Sequence, residues 1–169
     1  AGIVGMGGAG FPLYAKLKDA AGQVETVILN GCECEPLLQS DHTTMIYEAD
    51  SVVQGGLLLA RAVDAPRILI AVEDDKPRAA QALQQAAAPY DNVEVRVRPV
   101  RYPQGGEKML IKALLGKEVP PGKLPIALGL VVSNVESATA LYRACRSHLP
   151  LISRNVTVAG SVVARPGVL

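Results

Sequence analysis

The feature that most constrains this chain is a repeated alternation of short apolar segments with longer segments of helical periodicity. Segment 67–72 is nearly continuous in apolar residues, as in a strand covered on both faces. Segment 24–29 is a short apolar run with β-branched residues, and 129–132 is expected to be another buried strand. Segment 93–97 alternates Val with charged residues, as an edge strand does. The order predicts an α/β fold: a three-layer, mostly parallel sheet with helices on both faces.

Capping residues predict the helix boundaries, and a change in residue pattern near the C-terminus predicts a domain boundary. A helix is expected to begin with Ser40 or Asp41 as its N-cap and to continue to residue 60. After residue 150 the sequence takes on a β-hairpin character, with strands near 156–158 and 162–163. We therefore expect an α/β domain over 1–155 and, over 156–169, the beginning of a β-rich, β-grasp-like domain. Both ends look cut, as in a piece of a longer protein.

The charge balance and the cysteines exclude several classes of protein. Seventeen basic and sixteen acidic residues give a formal charge of +1, so a generic nucleic-acid binder is not expected. The sequence has no apolar run near the roughly 20 residues of a membrane helix, so direct membrane insertion is not expected either. Cys32 and Cys34 have one residue between them, whereas zinc and iron–sulfur sites favour two intervening residues. We therefore expect no metal site.

The main functional argument is the set of polar or glycine-rich loops that follow the apolar segments, because such loops gather at the carboxyl edge of a parallel sheet. The first contains Gly5, Gly7, Gly8 and Gly10, followed by Phe11 and, in a helix, Lys16. Bare backbone lets a ligand approach closely, although a tight structural turn would look the same. The glycine spacing fits a dinucleotide fingerprint, but the next strand ends in Asn30 rather than an acid, which argues against an ordinary Rossmann dehydrogenase.

The remaining loops offer polar side chains and more glycine. Glu33 and Glu35 could bind ribose hydroxyls or be solvated, and Asn134 could meet the edge of a ring or cap a helix. The third loop contains Tyr102, Gly105, Gly106 and Glu107. No acid–base constellation is evident, so we expect no catalytic side chain.

Five motifs occur in a recognisable order: Gly-Met-Gly-Gly-Ala-Gly-Phe-Pro, Asn-Gly-Cys-Glu-Cys-Glu-Pro, Glu-Asp-Asp-Lys-Pro, Tyr-Pro-Gln-Gly-Gly-Glu-Lys and Ser-Asn-Val-Glu. Together they resemble the central flavin-binding domain of the C subunit of Rnf ion-translocating electron-transport complexes. More distantly, the chain is similar to the NADH-binding flavoprotein subunit of respiratory complex I. The resemblance covers nearly the whole chain.

The resemblance implies FMN and NAD(H) as cofactors, with hydride transfer between nicotinamide and flavin. It implies that the flavin contacts are Gly5, Gly7, Gly8, Lys16, Asn30, Tyr102, Gly105, Gly106 and Asn134. Gly10 and Glu33 are further cofactor-binding candidates, without assignment to one of the two cofactors. Phe11 would stack on adenine, with Glu35 and Glu107 near the sugars. It further implies 4Fe-4S clusters in the full-length protein, outside this segment.

The partners implied are the other subunits of a membrane electron-transport complex, with NADH and ferredoxin as redox partners. The domain itself would be soluble and would lie peripherally on the cytoplasmic side of the cell membrane. Two alternatives remain: a cobalamin-reductase-type flavoprotein of a propanediol-utilisation microcompartment, and a non-catalytic docking domain without cofactor affinity.

Overall fold

A computed structural model describes residues 1–18 and 20–169 and has a four-stranded parallel sheet at its centre. The strands are β1 (Thr26–Gly31), β2 (Arg67–Glu73), β3 (Val93–Arg98) and β4 (Leu130–Asn134), in the order β3-β2-β1-β4. All three strand pairs are parallel. The alternating segment β3 lies at an edge, as its pattern predicted, whereas β2 is buried along nearly its whole length.

Helices cover both faces of the sheet, which confirms the three-layer α/β fold. They are α1 (Leu13–Lys18), α2 (Ser40–Tyr47), α3 (Ala49–Ala62), α4 (Pro77–Ala87), α5 (Glu107–Leu115) and α6 (Val135–Ser147), with a 3-10 turn at Pro125–Leu128. One apolar core joins the sheet to α2, α3, α4 and α6, and a second joins its other face to α5. Among the described residues, no helix is both long enough and apolar enough to cross a membrane.

The single helix expected from residue 40 to residue 60 is two helices, because the chain leaves the helical conformation at Glu48 (φ −130°, ψ 29°). The apolar periodicity runs across this break, so the sequence pattern does not reveal it. The break allows α2 and α3 to pack against different parts of the molecule. Met45 of α2 lies in the main core, while α3 approaches α6 so closely that a β-carbon on Gly55 would lie 2.0 Å from the carbonyl oxygen of Ala138.

The expected N-cap at Ser40 or Asp41 is wrong, because the N-cap position of α2 is Gln39 and its side chain makes no capping hydrogen bond. The helix is capped from outside instead. The Glu33 carboxylate accepts the backbone N–H groups of Asp41 (3.1 Å) and His42 (3.2 Å) and the hydroxyl of Ser40 (3.2 Å). A carboxylate at this end also complements the helix dipole.

The C-terminal residues form a separate two-stranded antiparallel sheet of β5 (Thr157–Val158) and β6 (Gly167–Val168). The second strand was expected at 162–163, but Val162 lies 95% exposed between the strands. The segment before the hairpin is bound to the main domain: Asn155 donates its N–H to Glu136 Oε1 (2.6 Å) and its side-chain amide to Thr44 Oγ1 (2.8 Å). A domain boundary at residue 155 stays a prediction.

Candidate functional site

Two asparagine side chains lie next to each other at the carboxyl edge of the sheet. Asn30 is the second-to-last residue of β1 and Asn134 is the last residue of β4, and the two residues are direct partners in the parallel register. Parallel strands lie about 4.8 Å apart, so the two amides share one stretch of the edge. This pair is the centre of the site that the sequence predicted.

The amide of Asn134 is held in one orientation by its neighbours. Its Oδ1 accepts the backbone N–H groups of Glu136 (2.8 Å) and Ser137 (3.2 Å), which makes Asn134 the N-cap of α6. Its Nδ2 donates to Oδ2 of Asp41 at 2.7 Å. An amide nitrogen has two N–H groups, and the second of these has no partner within residues 1–18 and 20–169. Asn134 can therefore offer a ligand one N–H donor.

Asn30 is fixed in a similar way and brings the third loop to the site. Its Oδ1 accepts the N–H of Cys32 (3.0 Å), and its Nδ2 donates to the carbonyl oxygen of Gly105 (2.8 Å). The N–H of Gly105 in turn donates to the sulfur of Cys34. The loop that leaves β3 thus reaches the end of β1, where Gly105 is clamped at both its N–H and its carbonyl. Gly106, next in the chain, is the N-cap of α5.

The glycine loop closes on itself and packs against Asn134. An isolated bridge joins Val4 to Pro12, and the N–H of Gly5 donates to the carbonyl of Phe11 (2.9 Å), so the loop does not follow a strand of the main sheet. The dinucleotide fingerprint therefore lacks its βαβ context. A β-carbon on Gly7 would lie 3.3 Å from that of Asn134, whereas Gly8 and Gly10 have positive φ angles and open space beside them.

The side chain of Lys16 joins β4, which is an edge strand of the sheet, to the first residue of α5. Its ammonium donates to the carbonyl of Val132 (2.7 Å) and lies 3.6 Å from Oε1 of Glu107. Both side chains are about one-third exposed, at 34% and 38%. The ammonium therefore binds β4 two residues before Asn134, and it remains accessible to an anionic group.

Other predicted residues lie at the rim or are occupied by protein contacts. Phe11 and Tyr102 are 51% and 72% exposed, and Glu35 is exposed too, so these three face solvent. Glu33 is buried under the first turn of α2, where its carboxylate receives the N–H groups described above, rather than lying open beside Glu35. Their predicted roles towards a cofactor stay predictions.

A group of buried ionisable side chains lies around the end of β2. Glu73, at the end of β2, is buried, and its Oε2 lies 3.5 Å from the ammonium of the buried Lys76. Its Oε1 has no hydrogen-bond partner among the described residues. Burial raises the pKa of Glu73, against the lowering effect of Lys76. Burial, with the charges of Glu73 and Cys34, raises the pKa of Cys32 to about 12, so this thiol is not a nucleophile at neutral pH.

The surface formed by the glycine loop, Asn134, Asn30 and the loop at Gly105 is called the shelf. Beside the glycine loop lies a cavity of about 330 Å³, lined by Gly5, Gly8 and Gly10 and by residues of the segment 151–154. A second cavity, of about 250 Å³, lies between that segment and α6.

Comparison with known proteins gives the family. The model of the Nuo51 FMN-binding domain matches residues 1–143. The chain belongs to this family. It is 45% identical over 167 residues to the C subunit of the ion-translocating oxidoreductase complex of Pectobacterium atrosepticum and 43% identical to that of Yersinia enterocolitica. Each match covers 99% of this chain and 24% of the relative, so the chain spans about a quarter of those proteins.

A solved structure agrees with the family assignment. The chain resembles part of an NAD+-reducing [NiFe]-hydrogenase in the air-oxidized state with a TM-score of 0.83 and 26% identity, over 99% of this chain and 34% of that one. The hydrogenase in the H2-reduced state matches with a TM-score of 0.81. The likeness to the C subunit of Rnf complexes that the five motifs indicated is thus confirmed at the level of the family.

Three residues of the site were not singled out by sequence reasoning for the contacts they make. Asp41 was assigned a capping role and instead holds Asn134, and Cys34 was considered for metal binding and instead holds Gly105. Glu73 entered only as part of the Glu-Asp-Asp-Lys-Pro motif, with no role assigned to it. Asp41 and Cys34 each contact a residue far away in the sequence, so no local spacing of residues predicts these contacts.

Proposed function

We propose that this chain is the flavin-binding domain of an electron-transport oxidoreductase and that FMN lies on the shelf between the glycine loop and the loop at Gly105. The observation that carries the proposal is contiguity: Gly7 packs on Asn134, Asn134 is the register partner of Asn30, and Asn30 binds Gly105. Four segments far apart in the sequence thereby form one continuous surface.

The chemistry of this surface fits FMN. Asn30 and Asn134 each retain an N–H group without a partner among the described residues, and Lys16 adds a cation. Flavin presents ring carbonyls and an anionic phosphate, which are acceptors for such donors. The positive φ of Gly8 and Gly10, with open space where their β-carbons would lie, leaves bare backbone for a flat ring. Gly5, Gly105 and Gly106 would complete the contact.

Bound FMN would supply the redox chemistry, exchange of a hydride with NAD(H) and of single electrons with an acceptor. The residues of this chain orient the reactants. Asn30 and Asn134 would fix the ring by its edge, and Lys16 would hold an anionic group. The exposed ring of Phe11 would stack on the adenine of NAD(H), with Glu35 and Glu107 near its sugars and Tyr102 beside the flavin. No side chain of the shelf acts as acid or base.

The wider role is proposed from the relatives. The two relatives are C subunits of ion-translocating oxidoreductase complexes, and the hydrogenase is an NAD+-reducing enzyme. We therefore extend the proposal to NADH and ferredoxin as redox partners, to 4Fe-4S clusters elsewhere in the full-length protein, and to a peripheral position on the cytoplasmic side of a membrane complex. Hydride transfer feeding those clusters would be the whole protein's activity.

Titration with FMN tests the proposal, and α1 offers a matched pair of variants. We expect quenching of flavin fluorescence at micromolar protein. Lys16→Gln should weaken FMN binding by about tenfold, because one charge-assisted hydrogen bond is lost. Lys18→Gln, which removes an equal charge from an exposed position on the same helix, should leave the affinity unchanged. Absence of FMN binding by the folded wild-type chain, or equal effects of the two variants, would refute the assignment.

A further inference from the structure

Asp41 occupies an unusual position for a carboxylate in the first turn of a helix. Such acids normally face solvent and interact with the helix dipole. Asp41 is partly buried, and its Oδ2 accepts Nδ2 of Asn134 at 2.7 Å, across the gap between α2 and the end of β4. The contact joins residues 93 positions apart in the sequence.

The contact with Asp41 acts together with the cap of α6 to determine which group Asn134 presents to a ligand. The oxygen of the amide is already occupied by two backbone N–H groups of α6, and Asp41 takes one of the two N–H groups on the nitrogen. A rotation that exchanged oxygen and nitrogen would place Nδ2 against the N–H groups of α6 and Oδ1 against a carboxylate. Both new contacts would be repulsive, so Asp41 adds to the preference for this amide orientation that the two N–H groups of α6 already impose, and it also fixes the direction of the nitrogen.

We propose that Asp41 is a positioning residue for the flavin site, whose carboxylate locks Asn134 so that this side chain offers an N–H and not a carbonyl to the bound ring. The inference rests on the proposed function, because it assumes that the ligand beside Asn134 is FMN. Asp41 itself touches protein groups and acts through Asn134.

The surroundings of Asp41 make the lock sensitive to pH. Burial, followed by the carboxylates of Glu33 and Glu136, raises the pKa of Asp41 to about 7, against the lowering effects of the Asn134 amide and the Arg154 guanidinium. These are the charged groups that face it from the β1–α2 loop, from α6 and from the segment after α6. An ionised carboxylate accepts a stronger hydrogen bond than a neutral acid, so the lock tightens as pH rises through 7.

The first experiment observes Asn134 directly, without FMN. In ¹H–¹⁵N spectra of the chain, the side-chain amide of Asn134 should have one N–H shifted downfield, and its position should titrate with a midpoint near pH 7. In Asp41→Asn the titration should vanish while the downfield N–H remains, because the new amide can still accept. In Asp41→Ala the two N–H groups should move towards solvent-like positions. An unchanged Asn134 amide in both variants would overturn the inference.

The second experiment measures FMN affinity with a matched control. Asp41→Ala should weaken binding by about three- to tenfold, and Asp41→Asn should restore most of the loss. Asp50→Ala removes an exposed acid from the first turn of α3 and should not change FMN affinity. Equal effects of the alanine variants at positions 41 and 50 would overturn the inference. If Asp41→Ala does not fold, the loss of the Asn134 titration in Asp41→Asn decides the question.

The two experiments separate failure of this inference from failure of the proposed function. If the wild-type chain does not bind FMN, the proposed function is wrong, and the spectra still show whether Asp41 locks Asn134. If FMN binds but the signals of the Asn134 side-chain amide do not change when Asp41 is substituted, the proposed function stands and the positioning role is refuted.

Discussion

A β-carbon on Gly105 would lie 2.5 Å from the carbonyl oxygen of Cys32 and 2.8 Å from the sulfur of Cys34. The first of these neighbours is backbone and cannot move without displacing the end of β1. Glycine at position 105 is therefore required by the protein itself, in addition to any contact with a flavin. We expect Gly105→Ala to lower the free energy of unfolding by about 1–3 kcal/mol, measured by urea denaturation, and to open the clamp formed by Asn30 and Cys34.

Gly167→Ala provides the control for that variant. A β-carbon there meets nothing within 4 Å, so its stability should stay within about 0.5 kcal/mol of wild type. Equal stability of Gly105→Ala and wild type would show that the loop approaches β1 less closely than described.

Two adjacent glycines in α3 should respond differently to alanine. At Gly55 the new β-carbon would meet the backbone of Ala138 in α6 at 2.0 Å, so the helices must separate, at a cost of about 3 kcal/mol. At Gly56 the nearest atom is Cδ1 of Leu29, at 2.9 Å, the end of a flexible side chain. Because alanine favours helix over glycine by about 1 kcal/mol, Gly56→Ala should be nearly neutral. Thermal unfolding of the pair tests this, and the reverse order would contradict the described helix contact.

The three cysteines should react with a thiol reagent in a fixed order. Cys145 is exposed, Cys34 is partly buried and Cys32 is buried. Burial raises the pKa of both Cys32 and Cys34, so little reactive thiolate forms at neutral pH. Peptide mass spectrometry after alkylation at about pH 7.5, close to neutrality, should show Cys145 modified first, then Cys34, then Cys32. In denaturant the three labelling rates should converge. Rapid labelling of Cys32 in the native chain would contradict its burial.

The raised pKa of Asp41 also predicts how stability depends on pH. The pKa is about 7 in the folded chain against an ordinary value of 3.8, so the folded state holds a proton that the unfolded state has lost between these values. The stabilisation is complete below about pH 4 and is lost as pH rises through 7. Relative to Asp41→Asn, wild type should lose on the order of 1–2 kcal/mol of unfolding free energy between about pH 5 and pH 8.

Urea unfolding of both proteins at the two pH values measures that difference. The raised pKa of Glu73 acts in the same direction but is common to both proteins and cancels in the comparison. A difference between wild type and variant that is independent of pH would mean that Asp41 titrates as an ordinary surface acid.

The fold could be predicted from sequence because its strands carry their signal locally. Segments 67–72 and 129–132 are buried on both faces and therefore apolar throughout, and the alternation at 93–97 placed β3 at an edge. The break at Glu48 and the strand at 167–168 were missed for the opposite reason. Both depend on what the segment packs against, and the residue pattern on either side is unchanged.

The site was predictable only in part. Asn30 and Asn134 stand at strand ends, so topology brings them together once the sheet is known. The capping of α2 by Glu33, the hold of Asp41 on Asn134 and the clamp of Cys34 on Gly105 arise where loops from different parts of the chain meet. Such contacts have no period or spacing in the sequence, so tertiary structure is needed to find them.

The attachment of Asn155 to Glu136 and Thr44, with that of Thr157 to the N–H of Gln39, has a mechanical consequence. The chain that leaves α6 returns across the starts of two helices whose first turns also contain Asp41 and adjoin Asn134. The terminal hairpin is thus hydrogen-bonded, through Asn155 and Thr157, to the same two helices that hold Asn134. A displacement of the hairpin would therefore pull on the helices that meet at the contact between Asp41 and Asn134.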